Sequence, residues 1–231
     1  ASALNMSAII HQFRREEQAA RERAEEALPL SAEQGFAFWV ATGAMVRGWA
    51  LAEQGRHDEG VVLTHRGVTS LLATGAVIGR SSQLATLAEV HGKARQVDEG
   101  LAVLVAALAV VEKTGARYYE AELYRLKGEL LLAQEGKSQS SKVDTDPRPL
   151  TPAPQTEAET CFHKAIDIAR RQHARMWELR ATVSLARLWR QQDKKDEARR
   201  MLAEIYGWFT EGFETKDLQE ARALLAELGE K

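Results

Sequence analysis

The chain repeats itself every forty residues. A sequence of that kind can bury its apolar surface only by stacking each repeat on the next. The tripeptide Asp58-Glu59-Gly60 returns as Asp98-Glu99-Gly100, then as Thr156-Glu157-Ala158 and Asp196-Glu197-Ala198, so the third residue recurs at intervals of 40, 58 and 40. The middle interval is one period plus an insertion of 18. Twelve residues upstream, Gly48, Ala88 and Ala186 keep the same register, and Gly128 holds it just before the insertion. Gly35, Gly75 and Gly115 form a third set, again 40 apart.

These positions describe a helix hairpin. Small residues at Gly48, Ala88, Gly128 and Ala186 let a second helix come close, and Gly60, Gly100, Ala158 and Ala198 are their counterparts on that helix. One turn on come Thr64, Leu104, Phe162 and Leu202, then Gly67, Ala107, Ala165 and Ile205, along one face. A mid-helix glycine costs about 1 kcal/mol relative to alanine, which close packing has to offset. Runs of Ala, Leu, Glu, Arg and Gln with only five prolines make the chain all-α. The pattern predicts helices at 4–15 and 17–34, with Pro29 kinking or interrupting the latter. Hairpins then follow at 36–54 with 57–74, 77–95 with 97–114, 116–135 with 156–173, and 175–192 with 195–210. A last helix, Asp217 to Leu228, puts Leu218, Ala221, Leu224, Leu225 and Leu228 on one stripe and closes the array. The stretch 136–155 holds four of the five prolines and no apolar period, so it reads as a flexible excursion inside one repeat of a single domain spanning 1–231.

The small–large–small pattern resembles the tetratricopeptide repeat. That family has 34-residue units, so each unit here carries six more, lengthening its first helix. The resemblance implies a helical-hairpin solenoid wound as a right-handed superhelix. The family's early aromatic is missing at Ala44 and Thr182, and so is the proline that ends the second helix. Gly75 and Gly115 are expected to stop those helices instead, by adopting positive φ.

Signatures of chemistry fail on inspection. Gly136-Lys137-Ser138 looks like the end of a phosphate-binding loop, but Leu131 stands where that loop needs glycine, and a helix precedes it. None of the six histidines lies four residues from another, which excludes a zinc-protease motif. Cys161 is alone, so no internal disulfide forms; it reads as an inert, partly buried thiol in a reducing, cytoplasmic setting. No catalytic residue, metal site or cofactor is expected. The longest apolar run, Leu101 to Val111, is eleven residues, short of the roughly 20 that span a membrane. The N-terminus has no signal-peptide pattern and starts in mid-pattern, as a piece of a longer chain would. With 31 basic and 33 acidic residues the net charge is −2, which gives no whole-chain attraction to nucleic acid or anionic lipid. Residues 162–200 hold 11 Lys/Arg against 5 Asp/Glu, but helical spacing spreads them over several faces, and 201–231 reverses the sign with 7 acidic residues against 3 basic.

In the repeat family the first helices line the inner curve, which implies an inward set here. It comprises Thr42, Met45, Trp49 and Glu53, then Ser82, Ala85, Glu89 and Lys93. Glu122, Arg125 and Glu129 follow, and finally Arg180, Val183, Arg187 and Arg190. The candidate partner-binding residues are Trp49, Glu89, Glu122, Arg125, Glu129, Arg180, Arg187 and Arg190. Trp49 would be the aromatic anchor in a groove able to clamp a peptide or helix.

Three stretches carry a more specific resemblance: EQGFAFWVATGAMVRGWALAEQG (33–55), EKTGARYYEAELYRLKGELLL (112–132), and the run from ETCFHKAIDIARRQ to YGWFTEGFETKDLQEARALLAEL. They are similar to the C-terminal tetratricopeptide region of large bacterial signalling ATPases, proteins that also carry a class III adenylate/guanylate cyclase or another output domain. The resemblance implies a non-catalytic regulatory arm that binds a protein partner, or other domains of its own chain, along the inner curve. A metabolite sensor with its ligand in the superhelical cavity is one alternative. A scaffold that self-associates as a homodimer through its open N-terminal repeat is another.

Overall fold

The computed structural model describes residues 1–140 and 154–229. Their architecture is all-α, eleven helices in sequential hairpin packing: α1 (Ser2–Phe13), α2 (Glu17–Glu33), α3 (Ala37–Glu53), α4 (His57–Ala73), α5 (Arg80–Lys93), α6 (Val97–Thr114), α7 (Glu120–Ser140), α8 (Pro154–Arg171), α9 (Arg175–Gln191), α10 (Lys195–Tyr206) and α11 (Lys216–Gly229), with a single 3-10 turn at Arg117–Tyr119. The chain divides into two compact units, Ala1–Ala116 and Arg117–Lys231. Within the first unit α1 pairs with α2, α3 with α4 and α5 with α6; within the second α7 pairs with α8 and α9 with α10.

The recurring tripeptide serves two purposes. Its acids, Asp58-Glu59, Asp98-Glu99 and Asp196-Glu197, fall in the first turns of α4, α6 and α10, where they complement the positive end of the helix dipole. Its third residue is the point of closest approach. A Cβ on Gly60 would lie 2.8 Å from the Gly48 carbonyl oxygen, and one on Gly48 would lie 2.5 Å from the Thr64 nitrogen. Gly67 completes the seam, since a Cβ there would meet Met45 N at 2.6 Å. The backbones of α3 and α4 therefore touch, and only glycine permits it.

The turns follow a rule finer than the forty-residue period. Left-handed backbone occurs at Arg15, Gly35, Gly55, Gly75, Arg95, Gly115, His173, Asp193 and Gly212, close to every twenty residues once the insertion is allowed for, and among the described residues it departs from that spacing only at Gly79, which precedes α5. Six of these turns close identically: Glu16, Phe36, Arg56, Gln96, Ala174 and Lys194 each donate their amide to the carbonyl five residues back at 2.9 Å. This is the Schellman pattern, in which orphan carbonyls at a helix end are satisfied by a left-handed residue. Gly75 and Gly115 have the expected positive φ, +76° and +69°. At two turns the side chains repeat as well, His11 Nδ1 with Glu16 Oε2 at 2.5 Å and His91 Nδ1 with Gln96 Oε1 at 2.7 Å, eighty residues apart.

Pro29 does not interrupt α2, which runs through it with the ring on the exposed side, where the missing amide leaves no buried gap. Helix also occupies both ends of the stretch read as an excursion. α7 continues through Gly136 to Ser140, and α8 opens on Pro154, a residue whose fixed φ suits a first helical position. The remainder, 141–153, lies outside the described residues. α10 ends at Tyr206, four residues earlier than its pattern predicts.

Candidate functional site

First helices pack on first helices. In the first unit α1 lies against α3 and α3 against α5; in the second α7 lies against α9 and α9 against α11. In each unit these helices carry the inward set, and the two units differ.

In the first unit that layer is filled. Trp49 is 2% exposed and belongs to the core with Met45, Val46 and Leu87. Its indole Nε1–H donates to Glu89 Oε2 at 3.1 Å. One turn along the same faces, Lys93 Nζ meets Glu53 Oε1 at 2.9 Å. Both pairs join residues forty apart, one repeat to the next. Gln12 Nε2 reaches across to Thr86 Oγ1 at 3.2 Å, tying α1 directly to α5. Thr42, Met45 and Ala85 are buried as well. The expectation of Trp49 as an aromatic anchor for a partner is thereby corrected, because the converging first helices enclose the ring instead of displaying it.

In the second unit the predicted residues do come together. Arg125 donates to both oxygens of Glu122, at 2.7 and 2.8 Å, and to Glu129 at 3.5 Å. Glu129 in turn accepts from Ser184 Oγ on α9 at 2.6 Å. Arg180 forms a fork to Asp217 of α11, Nε to Oδ1 at 2.9 Å and Nη2 to Oδ2 at 2.7 Å, and its guanidinium lies 4.9 Å from the Trp177 ring centroid. Burial by itself would lower the Arg180 pKa. Asp217 foremost, with Glu122 beyond it, reverses that and raises the pKa above the ordinary arginine value. Further out Arg187 pairs with Glu220 at 3.2 Å, and Arg190 pairs with Glu227. Three arginines of α9 at i, i+7 and i+10 thus meet three acids of α11 at i, i+3 and i+10.

Those α11 acids are the residues the sequence reading missed. Their signal was present, since they lie about one repeat downstream of the arginines they meet, a spacing that casts α11 as one more first helix. Its apolar stripe, Leu218, Ala221, Leu224 and Leu228, closes the core of α9 and α10 as expected. The basic surplus of 162–200 is largely consumed within the unit, because Arg170 and Arg175 both bond the buried Glu178, at 2.7 and 2.8 Å. Cys161 is buried; desolvation raises its pKa, and nearby Lys127 only partly offsets this, so the thiolate nucleophile is suppressed. Among the described residues no cluster of three or more His, Cys, Asp or Glu is placed to hold a metal ion, and no helix is long and apolar enough to cross a membrane.

No protein-family model matches the chain, and no curated protein does. Solved structures do. A Podosopora anserina protein described as a kinesin light chain of nearly identical TPR-like repeats superposes with a TM-score of 0.53 at 17% identity, covering 100% of this chain and 97% of that one. A single-substitution variant of the same protein superposes with a TM-score of 0.54 at 18% identity, covering 98% and 94%. At such identities the likeness concerns the fold: this chain is a TPR-like helical-repeat protein.

Proposed function

We propose that this chain is a non-catalytic protein-interaction module, the repeat arm of a multidomain bacterial signalling protein of the ATPase and cyclase kind, and that it engages its partner on the α7–α9–α11 face. The TPR-like fold and the sequence stretches quoted above support the class. One observation carries the location: the ion-pair ladder on that face is graded from buried to exposed. Arg180–Asp217, which ties α9 to α11, and Glu122–Arg125, within α7, are nearly buried. The outer rungs are open, with the Arg187 side chain 45% and the Glu227 side chain 54% exposed. Exposed pairs contribute about 0–1 kcal/mol, so Arg187 and Arg190 can exchange Glu220 and Glu227 for carboxylates of a partner at little cost. The favoured ligand is an acidic segment, extended or helical. Where this arm is attached to a catalytic domain, binding would bias that domain only through different affinities for its two states.

The test is selection from a phage-displayed peptide library on the full chain. Acidic peptides should be enriched, and Arg187→Glu with Arg190→Glu should weaken their binding at least tenfold at unchanged helicity. Failure to enrich acidic peptides, or equal binding by the charge-reversed protein, would overturn the assignment. Trp49→Ala is unsuitable for this purpose because it empties a core site.

A further inference from the structure

The connection between α10 and α11 departs from the other turns. Six connections are three residues long, whereas this one, 207–215, has nine and is the longest among the described residues. It is nonetheless tightly turned. Trp208 and Phe209 donate their amides to the Ile205 and Tyr206 carbonyls, both at 3.2 Å, and Thr215 donates its amide and its hydroxyl to Gly212 O at 2.9 and 2.7 Å. Rings tie the two ends together, with Tyr206 and Phe213 centroids 5.9 Å apart, and Trp208 stands edge-on to Phe209 at 5.2 Å. Loops of this length, packed by their own side chains, are frequently functional. Trp208 is 56% and Phe213 43% exposed. Such exposure belongs to this end of the hairpins and is found at interior turns too, where Phe36, before α3, is 47% and Ile78, before α5, 83% exposed.

We infer that this loop is a docking site for a basic segment of a partner protein, whose arginine covers the open part of Trp208 while Glu211 meets its charge. Two observations select that occupant. The first is a cation already in place: the Arg175 guanidinium lies 5.4 Å from the Trp208 ring centroid, with its own charge met by the buried Glu178 at 2.8 Å. The ring therefore accepts a guanidinium, and more than half of the residue is still open. The second is charge. Residues 201–215 contain Glu204, Glu211 and Glu214 and no Lys or Arg, and all three acids are exposed. Glu211, three residues after Trp208 and two before Phe213, makes no ion pair among the described residues. An apolar partner would desolvate that carboxylate without a counter-charge, and an acidic one would be repelled by it. Arginine is favoured over lysine because its planar, weakly hydrated guanidinium stacks on aromatic faces. The preference is opposite in sign to that of the α7–α9–α11 face, so this site does not rest on that reading.

Titration of the full chain with hexa-arginine amide, followed by NMR of the tryptophan indole N–H signals, tests this. The Trp208 signal is assigned by its loss in Trp208→Leu, and of the five tryptophans it should move most. Hexa-lysine should act more weakly, and hexa-glutamate should not move it. Trp208→Leu keeps every charge at an exposed site, so helicity should be unchanged while hexa-arginine binding weakens about tenfold. Glu211→Gln should weaken it about threefold, whereas Glu26→Gln, which removes the same charge from the exposed side of α2, should leave it unaltered. An unmoved Trp208 signal, or undiminished binding by Trp208→Leu, overturns the inference, because charge alone would then account for any association. Equal effects of Glu211→Gln and Glu26→Gln, or a Trp208 signal that follows hexa-glutamate, overturn it too.

Discussion

Gly128 and Phe162 test whether each hairpin divides one fixed volume between its two helices. A Cβ at position 128 would collide with Phe162 Cε1 and lie 2.8 Å from both Cδ1 and Cζ. Carbon atoms prefer about 3.5–4.0 Å, so a ring with no exposed surface must retreat by about 1 Å. Overpacking costs about 1–3 kcal/mol, and a clash with three ring atoms belongs at the upper end. Alanine returns about 1 kcal/mol through helix propensity. Gly128→Ala should therefore destabilise the protein by about 2 kcal/mol. Phe162→Leu alone leaves space above Gly128 and should cost about 1.5 kcal/mol.

The double variant is the informative one. It installs the Ala–Leu combination that the same register carries at Ala88 with Leu104 and at Ala186 with Leu202. Clash and gap then cancel, and stability should return to within about 0.5 kcal/mol of the parent. The singles sum to about 3.5 kcal/mol of destabilisation, so the cycle predicts a coupling of about 3 kcal/mol. Urea denaturation of all four proteins, followed by circular dichroism at constant m-value, measures it. Additive effects within about 0.5 kcal/mol would refute the shared-volume argument, because the two positions would then not be competing for the same space.

Other perturbations discriminate between buried and exposed groups. Asp217→Ala strands Arg180, whose side chain is only 11% exposed, and should cost about 3–5 kcal/mol; Arg187→Ala should cost under about 1 kcal/mol in the same urea assay. Trp49→Ala should destabilise the first unit by about 3–5 kcal/mol, whereas Glu89→Gln, which can still accept from the indole, should cost under about 1 kcal/mol. His173 is exposed and left-handed, with φ 55°. His173→Gly should raise the melting temperature, because relief of about 1–2 kcal/mol of strain exceeds the backbone entropy that glycine adds, about 0.5–1 kcal/mol. The hydrogen bond from His11 holds the Glu16 carboxyl below the ordinary carboxylate range, with Arg14 assisting, against the burial that raises it. A depressed pKa stabilises the fold above the unfolded-state value and loses that effect as pH falls through the folded one, so Glu16→Gln should flatten the acid limb of stability below about pH 4.5.

Local features were legible in the sequence because their causes are local. The helix boundaries at 53, 57, 93, 97, 114 and 195 fall within a residue or two of where the small-residue register and turn signals put them. Gly75 and Gly115 stop their helices as glycines do. The twenty-residue turn period was hidden because Arg15, Arg95, His173 and Asp193 occupy left-handed positions where composition suggests glycine. Repetition of the surrounding packing holds those residues there, at a cost that no propensity scale reveals. Trp49 was misplaced for a related reason. Helical spacing assigns a residue to a face, but only the neighbouring helices decide whether that face is open, and Gln12, 37 residues upstream of Trp49, bridges from α1 to Thr86 of α5.

The charges carry that reasoning one step further. Taken as a window, 162–200 looks basic and 201–231 acidic, a polarity that invites thoughts of separate ligands. Folding pairs the two windows at a distance of about one repeat: Arg180 with Asp217, Arg187 with Glu220, Arg190 with Glu227. The same geometry in the first unit joins Trp49 to Glu89 and Glu53 to Lys93. In a stacked-hairpin chain, then, a charge on a first helix must be judged against the residue about forty positions away before it is judged against a partner. By that criterion Arg180 is structural, and Glu122 is held by Arg125 of its own helix. Arg187 and Arg190 are different, because their pairs with α11 are exposed enough to open, which is the ground for proposing that they meet a partner's carboxylates.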